Sequence, residues 1–284
     1  MSIDEDRCFG EECSCQAPTE KGKAMKLAGK VALVTGSGGG IGKASAIALA
    51  QEGADVILND IHFPEGGSDT LDHIIAMGRR AVEMVCDVSD QAAVEAMFTK
   101  AQTQLGLINL FVNSAIYSDR EYFHKADMVG FHKTIDVSMW GAFYCLRAFT
   151  NRLLEAGQPG SAVLISSPHA YIATPSCMAY NMAKAALDQM GRTAAMELVG
   201  HGIRVNMIYP GWTDTPGERK FFTDEVLDKA GRALPMGRLM RPEELARGVV
   251  FLSDPASDSI TGSTLSIDGG TQLPWWSKRG TGAF

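Results

Sequence analysis

Seven short apolar runs, alternating with stretches of helical periodicity, constrain this chain more than any other feature. KVALVTG from Lys30 leads through a glycine-rich turn into IGKASAIALAQEG, whose apolar residues recur at helical spacing before a terminal glycine. DVILND, AVEMVCDV, INLFVNSA, SAVLISS, IRVNMIYPG and STLSIDGG repeat the strand signature. SDTLDHIIAMG reads as a helix ending at Gly78, and DQAAVEAMFTKAQTQLG as a helix with Ser89 as its cap. Helices are also expected over Phe131 to Ala156, over AYNMAKAALDQMGRTAAMELVG, and over RPEELARGVVFLSD with Pro242 in its first turn. Strands that are nearly continuous apolar runs belong to a parallel sheet covered on both faces. The expectation is a single doubly wound α/β domain spanning 26–284, preceded by a disordered leader over 1–25.

The 284 residues are 45% hydrophobic and 21% charged, ordinary for a globular chain with a sizeable core. A formal net charge of −7 argues against a nucleic-acid backbone or an anionic membrane as main partner. No apolar run is long enough to span a bilayer, and MSIDEDRCFGEECSCQAP lacks the hydrophobic core of a signal peptide. The expected location is therefore cytoplasmic. Cys8, Cys13 and Cys15 match no zinc template and want a fourth ligand, so no metal is expected. Cys86, Cys145 and Cys177 sit in apolar surroundings and read as core or near-site residues. The tail LPWWSKRGTGAF offers two adjacent tryptophans to a neighbouring subunit or to the body of the chain itself.

TGSGGGIG, Thr35 to Gly42, falls between the first strand and the first helix. Such a turn brings backbone N–H groups and a helix N-terminus to a pyrophosphate, with Gly36, Gly40 and Gly42 as key positions and Ser37 and Ile41 between them. Asp60 ends the second strand, where a carboxylate accepts hydrogen bonds from an adenosine ribose and repels a 2′-phosphate. That favours NAD over NADP, and Ile61, His62 and Phe63 supply no arginine to reverse it. Asp87, followed by Val88, is placed either to reach an adenine amino group or to open the next helix. In SSPHAYIATPSCMAYNMAK, Tyr180 and Lys184 stand at i and i+4 on one helical face, thirteen residues after Ser167. A phenol beside an ammonium ionises more readily, which suits acid–base chemistry.

In this order and spacing the motifs resemble the short-chain dehydrogenase/reductase family over about residues 27 to 272. The resemblance rests on TGSGGGIG, CDV, VNSA, Ser167 with YNMAK, YPGWTDT and IDGG. It implies a Rossmann-like fold with strand order 3-2-1-4-5-6-7, a nicotinamide cofactor and a homo-oligomer, tetramer or dimer. It makes Tyr180 the catalytic acid/base, Lys184 its activator and a ribose ligand, and Ser167 the donor to the substrate oxygen. Bringing a phenol from about 10 to near 7 takes roughly 4 kcal/mol, which the Lys184 ammonium and an oxidised nicotinamide are expected to supply. Asn113 and Ala115 match cofactor positions after the fourth strand. Pro210 and Gly211 make the turn after the sixth, with Thr213 and Thr215 as nicotinamide or pyrophosphate ligands. Ser138 stands where the family often has a proton-relay asparagine.

Residues 212–238 are expected to form a substrate lid. His169, Tyr117, Ser118, Met178 and Trp212 are the expected pocket walls, a mixture suited to a small-molecule sugar, polyol or sugar acid. The leading expectation is an NAD-dependent secondary-alcohol dehydrogenase. A β-ketoacyl reductase and a low-turnover NAD-binding scaffold are the alternatives. The first would want basic residues beside the nucleotide turn, where Ser37, Gly38 and Gly39 stand.

Overall fold

In a computed structural model, every apolar run pairs in parallel with its neighbours, and this fixes the architecture. The structure describes residues 25–273. The expected leader up to residue 24, Cys8, Cys13 and Cys15, and the tryptophans of the tail lie outside these residues. The strands are β1 (Val31–Thr35), β2 (Asp55–Asp60), β3 (Ala81–Val85), β4 (Leu110–Asn113), β5 (Gly160–Ile165), β6 (Ile203–Pro210) and β7 (Thr264–Ile267). Their spatial order is β3-β2-β1-β4-β5-β6-β7, the Rossmann-like order expected.

Side chains of a strand alternate between faces, and here the alternation sorts the core into two layers. Val31 and Leu33 join one apolar layer, whereas Ala32 and Val34 join the other. The first layer is closed by α3 (Gln91–Leu105), α5 (Gly141–Ala156) and α6 (Met178–Leu198). At its centre Phe111 lies 6.4 Å from Phe98 and 5.6 Å from Phe149, ring to ring. The second is closed by α1 (Gly40–Gln51), α2 (Asp69–Ala76) and α8 (Pro242–Ser253).

Two helical expectations are corrected. The cap of α3 is Asp90, whose carboxylate accepts from the Ala93 N–H, while Ser89 turns back to donate to Asp87. The helix expected over Phe131 to Ala156 is divided: α4 (Met128–Ile135) passes through a π-helical turn, Asp136–Trp140, into α5. The extra residue of a π turn rotates side chains around the axis, and Ser138 sits in it.

The strand order reverses between β1 and β4, which opens a crevice at their carboxyl ends. The Thr35 hydroxyl accepts from the N–H groups of Ser114 and Ala115 at 3.1 and 3.2 Å, tying the two strand ends together. Gly36 adopts a φ of 65°, and a side chain there would begin 2.8 Å from the Ala115 backbone. Gly42 is tighter, since an added Cβ would fall 2.1 Å from the Gly36 carbonyl oxygen. Gly39 is extended and its nearest neighbour is a Pro216 carbon at 3.6 Å. Gly42→Ala should therefore lower stability by about 1–3 kcal/mol and weaken dinucleotide binding. Gly39→Ala should stay within about 0.5 kcal/mol, both variants being compared with wild type by urea titration.

Candidate active site

A cleft of about 1000 Å³ opens at the carboxyl edge of the sheet, over the β1–β4 crevice. Its nucleotide end begins at the turn before α1. The N-cap of α1 is Gly39, which offers no capping side chain, and no acidic residue stands in the first turn. By contrast α2, α3 and α4 are capped by Ser68, Asp90 and Asp127. An uncapped helix start whose glycines admit close approach fits a pyrophosphate. Asp60 lines the cleft beside it. Its carboxylate accepts from the N–H groups of Gly38 at 2.9 Å and Ile61 at 2.8 Å, so the side chain is oriented by backbone.

Most sequence-predicted residues line this one cleft: Gly36, Gly40, Ile41, Asp87, Val88, Ala115, Tyr117, Ser167, His169, Tyr180, Lys184, Pro210, Gly211, Trp212, Thr213 and Thr215. Others stand behind the wall. The Ser37 hydroxyl donates to the Asn59 carbonyl, Gly42 packs under Gly36, and Asn113 is buried with its amide nitrogen unpartnered among the described residues. Met178 and Ser118, expected as pocket walls, are not part of the wall. Met178 opens the first turn of α6 on its outer side, 42% exposed, and the Ser118 hydroxyl is buried. Cys86 and Cys177 are buried free thiols that touch the cleft, and Cys145 is buried in the core.

Ser138 is buried, and its hydroxyl both donates to the Tyr117 carbonyl at 2.7 Å and accepts from the Tyr117 N–H at 3.0 Å. Its only hydrogen is thus committed to bracing the loop after β4. The helix-period argument for Tyr180 and Lys184 holds: the ammonium lies 5.5 Å from the centre of the phenol ring. Lys184 is buried and donates to the Ile165 carbonyl at 2.7 Å. Ser167 hydrogen-bonds with Tyr180 and accepts from the His169 N–H at 3.2 Å. The His169 ring meets Tyr180 edge-on at 5.3 Å. Its Nδ1 faces the Asn181 carbonyl oxygen at 3.0 Å, and burial pushes its pKa down.

The electrostatics differ from the expectation. Burial pushes the Tyr180 phenol up to about 12, although the Ser167 hydrogen bond opposes it. Burial also brings Lys184 down to about 8, with the Asp188 carboxylate holding it up. Desolvation penalises the charged form of each group and outweighs the attraction expected from helical spacing. The cleft by itself therefore keeps a neutral phenol, a proton donor. A proton acceptor requires further positive charge beside it.

Asp188 was not predicted. It lies one turn beyond Lys184, buried, accepting from the hydroxyls of Ser166 and Tyr209 and pairing with Arg192 at 3.4 Å. Arg120 and Glu218 were also missed. They form an ion pair at 3.0 Å across the cleft, and no local pattern links residues so far apart.

A family profile described as "Enoyl-(Acyl carrier protein) reductase" matches residues 36–272. The cis-4-hydroxycyclohexanecarboxylate dehydrogenase of Sinomonas cyclohexanicum is 33% identical over 245 residues, 86% of this chain and 97% of that protein. The chain is a short-chain dehydrogenase/reductase. Glucose 1-dehydrogenase 2 of Bacillus subtilis is 32% identical, over 87% of this chain and 96% of its own. A solved structure of a putative 2-deoxy-D-gluconate 3-dehydrogenase from Agrobacterium tumefaciens, with bound NADP, superposes with a TM-score of 0.79 at 31% identity, covering 88% of this chain and 98% of that one. This short-chain dehydrogenase/reductase is thus an oxidoreductase acting on the CH–OH group of secondary alcohols, with a nicotinamide dinucleotide as redox partner. Among the described residues no helix is long and apolar enough to cross a membrane.

The unfolded chain holds the Lys184 proton up to its ordinary value of 10.5, whereas the folded chain releases it at about 8. The folded state binds fewer protons in between, so stability rises with pH across that window. Compared with Lys184→Met, the cofactor-free wild type should gain about 3 kcal/mol between those two pH values in urea denaturation.

Proposed function

We propose that this chain oxidises a polar secondary alcohol with NAD⁺, or runs the same reaction in reverse. The reading rests on one observation: Ser167, Tyr180 and Lys184 meet in the cleft that begins at the uncapped glycine turn and Asp60. A bound nicotinamide supplies the hydride acceptor. Ser167 holds the substrate oxygen, and Tyr180 takes the hydroxyl proton. Lys184 remains mostly ammonium at neutral pH and stabilises the phenolate. Moving a phenol from about 12 to near 7 asks for roughly 7 kcal/mol, more than a free tyrosine would need. For oxidation, Tyr180 would therefore need the positive charge of a bound oxidised nicotinamide beside it. In reduction the neutral phenol is already the acid. Ser138 is assigned to bracing Tyr117 rather than to proton relay, because its hydrogen is occupied.

Asp60 supports NAD over NADP. Its carboxylate is fixed at the wall by two N–H groups, and a 2′-phosphate would meet like charge there. The expected partners are a small-molecule substrate and further copies of the chain, in the cytoplasm. Trp140 and Phe143 are exposed and contact Tyr144 at 5.9 and 6.1 Å, which gives an aromatic face for self-association. Trp140→Glu should yield a smaller species than wild type in sedimentation, and unchanged mass would remove that face as the interface.

A panel of sugars, polyols and cyclic alcohols with each dinucleotide tests the main reading. NAD⁺ should be preferred by about 100-fold in kcat/KM, with Asp60→Ser cutting the ratio by about tenfold or more. Tyr180→Phe should lose at least about a thousandfold in kcat while dinucleotide affinity is retained. Turnover with NADP⁺ alone would overturn the Asp60 argument, and an undiminished Tyr180→Phe would overturn the mechanism.

A further inference from the structure

The ion pair across the cleft is unequally satisfied. Glu218, on a 3-10 turn (Glu218–Lys220) of the expected lid, has both oxygens engaged: Arg120 Nη2 donates to one at 3.0 Å and Trp212 Nε1 to the other at 2.9 Å. Arg120 does not match it. Its Nε is buried with no acceptor among the described residues. The guanidinium lies 4.0 Å over the Phe221 ring and 5.4 Å from that of Phe222, held flat by aromatic faces. A buried N–H on a charged group costs free energy while it lacks a partner, and a planar guanidinium with an unfilled Nε is shaped for a carboxylate.

The place is right for substrate. Arg120 lines the same cleft as Tyr180, and its charge is felt at Tyr180, His169 and Cys177. Lys133, stacked 4.6 Å from the Tyr117 ring, and Lys220, on the turn of Glu218, add cations to this wall. Glu218 is carried on the segment expected to move, so it occupies from that side the position a ligand's carboxylate would take.

We propose that Arg120 is the specificity residue of this cleft and that the substrate is a secondary alcohol bearing a carboxylate. The carboxylate binds the guanidinium of Arg120 in place of Glu218, while the carbinol faces Tyr180 and Ser167. This rests on the dehydrogenase reading above and narrows it to hydroxy acids. A role for the pair as a mere fastening of the lid predicts something different, because loss of either partner would then affect charged and neutral ligands alike.

The test compares benzoate with benzamide, which share a shape and differ by one charge. Each is titrated calorimetrically into the NADH complex of the wild type, Arg120→Gln, Arg120→Lys and Glu218→Gln. Wild type should bind benzoate at least about tenfold more tightly than benzamide. Arg120→Gln should abolish that preference. Arg120→Lys should keep a reduced one, since the charge remains and the planar fork is lost. Glu218→Gln should retain or strengthen it by removing the competing carboxylate. Unchanged NADH affinity establishes that each variant is folded, and Arg120→Lys carries the comparison if Arg120→Gln is not.

Equal affinities in wild type, binding of neither ligand, a preference that survives Arg120→Gln, or its loss in Glu218→Gln would each overturn the assignment. The titration needs no turnover. A missing benzoate preference in a chain that oxidises neutral alcohols defeats the carboxylate alone, whereas Tyr180-independent turnover defeats the dehydrogenase reading whatever benzoate does.

Discussion

The contact between the ends of β1 and β4 is the constraint from which the rest of the cleft follows. Parallel strands deliver all their carboxyl ends to one edge, and the reversal of strand order leaves a gap there only between these two. The gap is narrow: the Thr35 hydroxyl bridges it, and the Gly36 backbone comes so close to Ala115 that no side chain fits between. That approach sets the start of α1, and Gly42 lets the first turn of the helix settle on the Gly36 carbonyl. The unsatisfied N–H groups of α1 therefore point into the crevice because of packing, and a capping side chain there would close the site.

A second constraint is the removal of water from Tyr180 and Lys184. Both groups are driven toward their neutral forms, the phenol upward and the ammonium downward. The Ile165 carbonyl and the Asp188 carboxylate limit the loss at Lys184, and Asp188 is itself held by Ser166, Tyr209 and Arg192. A buried ammonium so supported stays available as a charge near neutrality, although it cannot by itself make the phenol acidic. In the proposed mechanism, the positive charge of an oxidised nicotinamide bound beside Tyr180 would supply what burial takes away.

Much of this was legible in the residues, for reasons that also explain what was not. Strands and helices could be read because burial on both faces leaves continuous apolar runs, and helical faces repeat every 3.6 residues. Tyr180 and Lys184 could be placed together because the i, i+4 relation is local. Asp188 obeys the same relation, but its partners Ser166 and Tyr209 come from the ends of β5 and β6 and are joined only by the sheet. Arg120 and Glu218 belong to two different loops, so their pairing depends on how those loops fold over the cleft. The π turn at Asp136–Trp140 differs from an α-helix by a single residue, too little for a periodicity argument to detect. The direction of the Tyr180 shift escaped for another reason: helical spacing reports which groups are neighbours, and carries no information about how much water remains.

Charges of both signs line the cleft. Asp60 and Asp87 stand at the end beside the glycine turn, where ribose hydroxyls and an adenine amino group would present donors. Arg120, Lys133 and Lys220 also line it, together with Glu218 and Asp268. Glu218 raises the pKa of the Tyr180 phenol and Arg120 lowers it. A ligand that neutralised Arg120 while Glu218 stayed in place would leave an excess of negative charge near the phenol and hold it in the acid form. If Glu218 moves away as the ligand's carboxylate arrives, one carboxylate replaces another and the field at Tyr180 changes little.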